Sequence, residues 1–513
     1  MFSKVFSGGI CGIDGYLVQV EVDVSNGLPG FSMVGYLAAE VKEAQDRVRT
    51  ALRNSDCGLP AKKVTVNLSP ANRRKDGTGY DLAIAVAVLA SYGMVSDHYL
   101  TQAAFIGEVG LDGEVKPIHG ILSLVEAFRQ AGISFCFLPV ANAREAMAIS
   151  GITIVGIASI VQLIKVLNRE EHLPETKSQS THIIIAKESE PDFSEVNGQH
   201  LLKRAAEIAV AGKHNLLIIG PAGSGKSMLA KRIPTIMPAL SREEQLEVSK
   251  IYSICGYLRD GSGLIEARPF RNPHHTISAQ ALAGGGRIPR PGEISLASGG
   301  VLFLDELPEF RKPVLEVLRQ PLEDRQVVIS RLQGSYKFPA NTMLVAAMNP
   351  CPCSFYPDRN RCRCTENQVR NYLRHVSKPI LDRMDLCVEA SPLTFDEIRQ
   401  KGRQESSDTI RMRVEQARMV QNKRYAGQPI YFNSEMQKAH IEAYCTLAKA
   451  DNLFLKQVFE VKGISARVYH KILKVARTIA DLEGEVQIKR IHLSEAIAYR
   501  QIEQKFWGGT YDG

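Results

Sequence analysis

Gly220-Pro221-Ala222-Gly223-Ser224-Gly225-Lys226-Ser227 satisfies the pattern GxxxxGK[ST], whose chemistry is the grip on the phosphates of a nucleotide. Its glycines let the backbone curl so that N–H groups face phosphate oxygens. Lys226 is expected to meet the β- and γ-phosphates of ATP, and Ser227 a magnesium ion. Downstream, Val301-Leu302-Phe303-Leu304-Asp305-Glu306 is an apolar run ending in two carboxylates. Asp305 suits the magnesium, and Glu306 can orient and deprotonate the attacking water, the two tasks that phosphoryl transfer requires. A third apolar run, Met343 to Ala347, leads to Asn349, a polar group able to position that water. Asn349 could equally start the turn before Pro350.

Directly after Asn349, Cys351, Cys353, Cys362 and Cys364 form C-x-C-x8-C-x-C. Four thiolates in two close pairs can surround zinc tetrahedrally and fix the polar loop SFYPDRNR, which could not hold itself by packing. Four cysteine ligands leave no open position, so the expected zinc is structural; free thiols or a redox pair are the alternatives. The other six cysteines, Cys11, Cys57, Cys136, Cys255, Cys387 and Cys445, are scattered and read as reduced, mostly buried thiols.

For the phosphate loop, the carboxylates and Asn349 to meet, their strands must lie in one parallel sheet opening on a common crevice. Residues 193–390 do alternate apolar strands with helical segments, as an α/β core requires, with the cysteine insert at 351–364. After Pro392 the sequence turns helical, over Ile410 to Lys423, Glu435 to Lys449 and Ala466 to Asp481, which predicts an all-α lid over 391–513. Residues 1–168 mix strand patterns (Val64 to Leu68) with helix patterns (Ala38 to Leu52, Leu82 to Ala90). A hairpin is signalled there by Asp112-Gly113, so this part reads as α+β. The stretch 169–192 shifts to Glu, Lys, Ser, Thr and Pro and reads as a linker, with one short strand at Ile183 to Ala186. The predicted class is therefore α/β and α+β multidomain, as expected for 513 residues, too many for a single core.

Composition sets outer limits. With 44% hydrophobic and 23% charged residues the chain is ordinarily globular, which leaves little room for extended disorder. A net charge of +8 points only weakly to an anionic partner. The N-terminus lacks the continuous apolar core of a signal peptide. The most apolar run, Leu82 to Val95, is too short for a bilayer and is interrupted by Ser91, Tyr92 and Gly93, so no membrane anchor and a cytoplasmic location are expected.

DFSEVNGQHLLKRAAEIAVAGKHNLLIIGPAGSGKS at 192–227, RPFRNPHHTIS at 268–278, GGGRIPRPGEISLASGGVLFLDELPEF at 284–310 and LDRMD at 381–385 resemble the magnesium-chelatase branch of AAA+ ATPases. Within that branch the chain is similar to the ComM, or YifB-like, family from end to end. The resemblance implies a hexameric ring that binds single-stranded and branched DNA and uses ATP for branch migration during natural transformation, with recombination proteins as possible partners. It also implies that Arg383, in LDRMD, is an arginine finger supplied across the subunit interface and that Arg467, in ISARVYH, is the sensor 2 arginine of the lid. From the residues alone, either could be a surface cation.

KDGTGYDLA at 75–83 and GEVGLDGEVKPIHG at 107–120 resemble the proteolytic domain of the Lon protease, a ribosomal S5 domain 2-like fold. Aligned on them, the serine nucleophile falls on Gly79 and its lysine on Leu122. Neither can do that chemistry, and Thr78 or Lys116 would have to be re-aimed to substitute, so peptidase activity is not expected.

A ring motor needs loops to grip its polymer. Ala283 to Gly292, with Arg287 and Arg290, and a predicted hairpin over Val327 to Phe338, with Arg331, Tyr336 and Lys337, combine cations for phosphate with an aromatic for stacking. Solvated turns would carry the same residues. His274 and His275 suit loop positioning better than metal binding. The competing functions are the ATPase subunit of a metal-inserting chelatase and a protein-remodelling AAA+ machine; stimulation by DNA or by unfolded polypeptide separates them from a DNA motor.

Overall fold

The computed structural model describes residues 1–174, 191–258, 263–331, 334–392, 404–462 and 465–508; the strand expected at Ile183 to Ala186 lies outside them. The N-terminal part is built on seven strands: β1 (Phe2–Cys11), β2 (Asp14–Ser25), β3 (Gly30–Val34), β4 (Lys63–Ser69), β5 (Ala103–Phe105), β8 (Phe135–Pro139) and β9 (Thr153–Ile157). Their order is β3-β4-β2-β1-β5-β8-β9, antiparallel around β2 and parallel from β1 to β9. The short hairpin β6 (Glu108–Val109) and β7 (Val115–Lys116) turns at Asp112-Gly113, where Gly113 takes φ +86°. The apolar run after Tyr80 becomes the helix Asp81–Ser91, buried on nearly every side. Its Asp81 is gripped by Arg47 through two bonds of 2.7 and 2.9 Å, which ties it to the helix Ala44–Asn54.

The central part is a five-stranded parallel sheet of β10 (Leu216–Ile219), β11 (Phe270–Arg271), β14 (Val301–Leu304), β17 (Met343–Met348) and β18 (Leu386–Glu389), in the order β11-β14-β17-β10-β18. Strands covered on both faces are apolar at successive positions, and the period of two splits them between two cores. Leu216, Ile218, Phe303 and Val345 face the helix His200–Gly212 and the C-terminal helices; Leu217, Ile219, Leu304 and Ala346 face Phe310, Leu315, Leu373 and Trp507. Two hairpins project from this part: β12 (Gly284–Gly285) with β13 (Arg290–Pro291), and β15 (Gln326–Arg331) with β16 (Gly334–Pro339).

The C-terminal part is helical, over Ser407–Arg424, Lys438–Tyr444, Lys449–Lys462, Ala466–Leu482 and Arg490–Trp507. The single helix expected over Glu435 to Lys449 is instead broken. A 3-10 turn at Asn433–Glu435 and a short helix precede an interruption where Leu447 bridges to Ile488, a tertiary contact that overrides good local helix formers. Arg490–Trp507 goes beyond the sequence reading. Ser407–Arg424 and Ala466–Leu482 pack on His200–Gly212, behind the sheet. No described helix is long and apolar enough to cross a membrane.

Candidate nucleotide site

Strand β10 delivers the phosphate loop at its C-terminal end. Gly220 crosses so close to β18 that a Cβ there would stand 2.6 Å from Ala390 Cβ, and Gly225 adopts φ +83° at the entry to the helix Lys226–Ala230. Lys226 Nζ donates to the carbonyls of Gly220 and Pro221, both at 2.8 Å, and to Asn349 Oδ1 at 3.2 Å. Burial lowers the Lys226 pKa, against the raising influence of Asp305 and Glu306. Ser227 Oγ donates to Asp305 Oδ2 at 2.5 Å, and the amide of Glu306 donates to Asp305 Oδ1 at 3.0 Å. Asn349 follows β17, which lies between β14 and β10, so the three strand ends do open on one cleft. That cleft, about 370 Å³, is lined by Ala222 to Ser227, Asp305, Glu306, Met348 and Asn349; among the described residues, none from the C-terminal helices lines it.

Glu306 stands at φ +52°, an uncommon conformation for a residue with a side chain, and its carboxylate is largely exposed to the cleft. His275 Nδ1 lies 3.3 Å from its Oε2, while His274 turns to Thr276 Oγ1 at 2.9 Å, its ring 4.1 Å from that of His275 and tilted by 34°. Sequence reasoning left His275 without a target because the contact joins residues 31 positions apart. Arg271, two residues past Pro269 on the edge strand, holds that segment to Glu293 through bonds of 2.6 and 2.7 Å.

Arg383 and Arg467 are placed together and away from this cleft. Arg383 precedes β18, and Leu216 pairs with Leu386, so Arg383 lies at the N-terminal edge of the sheet whereas the phosphate loop lies at the C-terminal edge. Both arginines line a second cavity of about 500 Å³ that shares no residue with the first. Beneath them, Asp385 binds Lys471 at 2.9 Å and receives the Asn215 amide at 3.0 Å.

The four cysteine sulfurs lie within 4.8 Å of one another, with pairs at 3.4, 3.5 and 3.8 Å. Tetrahedral zinc with bonds of about 2.3 Å puts its sulfur ligands roughly 3.8 Å apart, whereas a disulfide needs about 2.05 Å, so the donor set fits the metal. The knuckle joins β17 to the helix Glu366–Arg374, which opens on a capping box between Thr365 and Gln368. Cys351 and Cys362 belong to the same core as Phe506 and Trp507, whose indole donates to the Leu373 carbonyl at 3.1 Å.

The two hairpins stand side by side, Arg331 reaching the Gly286 carbonyl at 3.5 Å. Arg287, Arg290, Arg331 and Lys337 are exposed and Tyr336 is half-buried. Each hairpin touches the N-terminal part: Arg287 is 4.0 Å from Glu40, and Gly12, in the β1–β2 turn, lies against the Lys337 backbone. In that N-terminal part, a Cβ on Gly79 would meet Ile106 and Ile118 first, Leu122 is fully buried, and the Thr78 hydroxyl donates to Glu108.

A parallel sheet carrying a phosphate loop, a paired Asp and Glu and a polar third strand end defines a phosphate-loop nucleotide-binding protein. Three stretches match families described as "Magnesium chelatase, subunit ChlI" (192–398), "Subunit ChlI of Mg-chelatase" (20–142) and "Magnesium chelatase, subunit ChlI C-terminal" (404–500). The chain is 42% identical to the competence protein ComM of Haemophilus influenzae over 97% of both chains. It is 41% identical to YifB of Salmonella typhimurium, over 96% of both, and 40% identical to YifB of Escherichia coli, over 98% of this chain and 97% of that one. The chain therefore belongs to the ComM/YifB family of magnesium-chelatase-related AAA+ proteins.

Proposed function

We propose that the chain is an ATPase that works as a ring-shaped DNA motor, hexameric by family resemblance, and promotes branch migration of recombination intermediates during natural transformation. Its parts in this reading are a Lon-like N-terminal domain without a protease dyad, an AAA+ core and a helical C-terminal domain. The observation that carries the reading is the convergence of Lys226, Ser227, Asp305, Glu306 and Asn349 on one cleft.

In that cleft Lys226 exchanges its carbonyl partners for β- and γ-phosphate oxygens. Ser227 and Asp305, already in contact, form the oxygen pair that would hold magnesium, which when bound neutralises charge developing on the phosphates. Glu306 accepts the proton of the attacking water, and Asn349, beside Lys226, helps to hold that water in place. Zinc, held by Cys351, Cys353, Cys362 and Cys364, would supply rigidity alone.

Support for a DNA partner comes from the adjoining hairpins, which carry exposed Arg287, Arg290, Arg331 and Lys337 together with half-buried Tyr336. The test is ATP-dependent separation of a synthetic movable four-way junction, comparing the protein with Glu306→Gln. Resolution by the unsubstituted protein alone, with ATP and magnesium, supports the motor. A junction that persists while ATP is hydrolysed redirects the search to a protein partner.

A further inference from the structure

In Arg361-Cys362-Arg363-Cys364 the side chains alternate: the sulfurs of Cys362 and Cys364 turn in to the cluster, and Arg361 and Arg363 are left exposed. The backbone between the two cysteine pairs is fixed by its own bonds. Cys351 Sγ accepts from the Tyr356 amide at 3.4 Å, the Asp358 amide donates to the Phe355 carbonyl at 2.9 Å, and the Cys362 amide donates to the Asp358 carbonyl at 2.8 Å. With these groups committed and the sulfurs aimed at one point, the remaining side chains are what the loop shows to solvent.

The loop holds two pairs of guanidinium and ring, and they are not equivalent. Arg359 lies over Tyr356 at 5.2 Å, donates to the Cys364 carbonyl at 3.3 Å and meets Glu366 at 3.5 Å, so it braces the loop. Arg361 lies over the exposed Phe355 at 4.2 Å. The pair of Arg359 with Glu366 is the loop's only ion pair among the described residues, which leaves Arg361 and Arg363 unpaired. Residues 355–374 carry five exposed arginines against Asp358 and Glu366, a local excess of positive charge that attracts an anion. A guanidinium lying flat on a ring keeps its edge donors for phosphate oxygens and offers its outer plane, with the open part of the Phe355 ring, to a base. A polymer with an anion and a flat ring at every repeat uses both features; an acidic peptide would use the charges alone. Position separates this surface from the hairpins. The hairpin of β15 and β16 leads into β17 at its N-terminal end, the knuckle leaves from its C-terminal end, and the 6 residues of that strand, about 20 Å, lie between them.

We propose that the cysteine knuckle is a second grip on single-stranded DNA, in which Phe355 and Arg361 together stack on a base while Arg361 and Arg363 hold the adjoining phosphates. The inference rests on the DNA reading above and adds to it: the metal gives rigidity, and the rigid loop is the part that binds. A loop fixed before the strand arrives removes an ordering cost from binding.

Ultraviolet crosslinking of the full chain to a single-stranded oligonucleotide carrying 5-iododeoxyuridine, with the attached peptides read by mass spectrometry, tests the contact directly. Attachment at Phe355 is expected, beside any at Tyr336 on the hairpins. In fluorescence anisotropy with the same oligonucleotide, Phe355→Ala should weaken binding about 10-fold at an unchanged salt slope. Arg361→Ala combined with Arg363→Ala should lower the slope of log affinity against log salt by about 1.4, two single-strand contacts at about 0.7 each, and the matching pair of Arg→Lys changes should keep it. Zinc content equal to that of the unsubstituted chain shows that each variant keeps its knuckle. Crosslinks confined to Tyr336, with every variant binding as the unsubstituted chain does, would overturn the proposal and leave the DNA reading standing. Unchanged DNA binding with loss of polyglutamate binding in the double alanine variant would overturn it in favour of an acidic protein partner. Failure of the unsubstituted chain to bind any DNA would remove the DNA reading itself, and the proposal with it.

Discussion

Ser227 Oγ bonds Asp305 Oδ2 at 2.5 Å across the end of β17, so the last residue of the phosphate loop and the first carboxylate after β14 form one oxygen pair before any ligand arrives. Such pre-formed pairs need little rearrangement to take a hard cation. Asp305 and Glu306 differ in what they touch: Asp305 is tied to Ser227 and to the backbone, whereas Glu306 points into the cleft and meets only His275 among the described ion pairs.

Substitution of the two carboxylates should therefore separate binding from chemistry. Glu306→Gln is expected to bind ATP as the unsubstituted chain does while hydrolysis falls by about 10²- to 10⁴-fold, the range for loss of a general base. Asp305→Asn should lose the magnesium dependence of nucleotide binding. Fluorescent-nucleotide titration with and without magnesium, set beside phosphate release, checks both; equal loss of binding in the two variants would contradict this division.

The cysteine knuckle should report on itself through Trp507, the only tryptophan of the chain. Its ring shares a core with Cys351 and Cys362, so metal removal by a chelator, or Cys362→Ser, should shift its emission to longer wavelength as water enters. Elemental analysis should find one zinc per chain, lost in Cys351→Ser. Asn349 lies two residues before Cys351, so kcat should fall with the metal while nucleotide binding persists. Unchanged emission on complete metal loss would place the knuckle's stability elsewhere.

Asp385 joins the sheet to the C-terminal helices. Burial alone would raise its carboxyl pKa, but the Lys471 ammonium and the His214 ring outweigh it and hold the carboxyl well below the usual carboxylate range. A carboxyl depressed by folding stabilises the native state fully above its unfolded pKa, near 3.9, and less and less as pH falls through that value toward the folded one. Asp385→Asn, which leaves Lys471 unpaired, should cost about 3 kcal/mol at pH 7. The gap between the two proteins, read from unfolding midpoints between pH 7 and 3, should narrow only below about pH 4. A gap that is constant across that range would show that charge is not what the pair contributes.

The convergence of the candidate nucleotide site's residues on one cleft was legible in the sequence because its signals are local. Eight contiguous residues fix the loop at 220–227, and an apolar run ending in acids fixes the other wall. The approach of His275 to Glu306 was invisible for the opposite reason: the two meet only once β11 and β14 are paired. The helix Arg490–Trp507 lacked the usual opening signal, since its N-cap is Lys489, whose side chain cannot cap, and only the His492 ring reaches back to accept from the Lys489 amide at 3.0 Å. The two hairpins at 284–291 and 326–339 were readable as inserts, but their adjacency, and their contact with Gly12 and Glu40, came from packing.

That adjacency makes the last expectation a collective one. If the hairpins grip a phosphate backbone, each cation contributes released counterions and not sequence selectivity. Arg331→Ala and Lys337→Ala should each weaken binding to single strands of any sequence and reduce the dependence of log affinity on log salt by about one ion. Tyr336→Ala should instead cost about 1 to 3 kcal/mol with the salt slope unchanged, because stacking releases no ions. Arg331 also bonds the Gly286 carbonyl, so its loss frees the neighbouring hairpin, and the double variant with Arg287→Ala should fall short of the sum of the two singles. Fluorescence anisotropy of labelled oligonucleotides at several salt concentrations reads all of these. A salt slope untouched by every one of these substitutions would move the DNA path off the hairpins altogether.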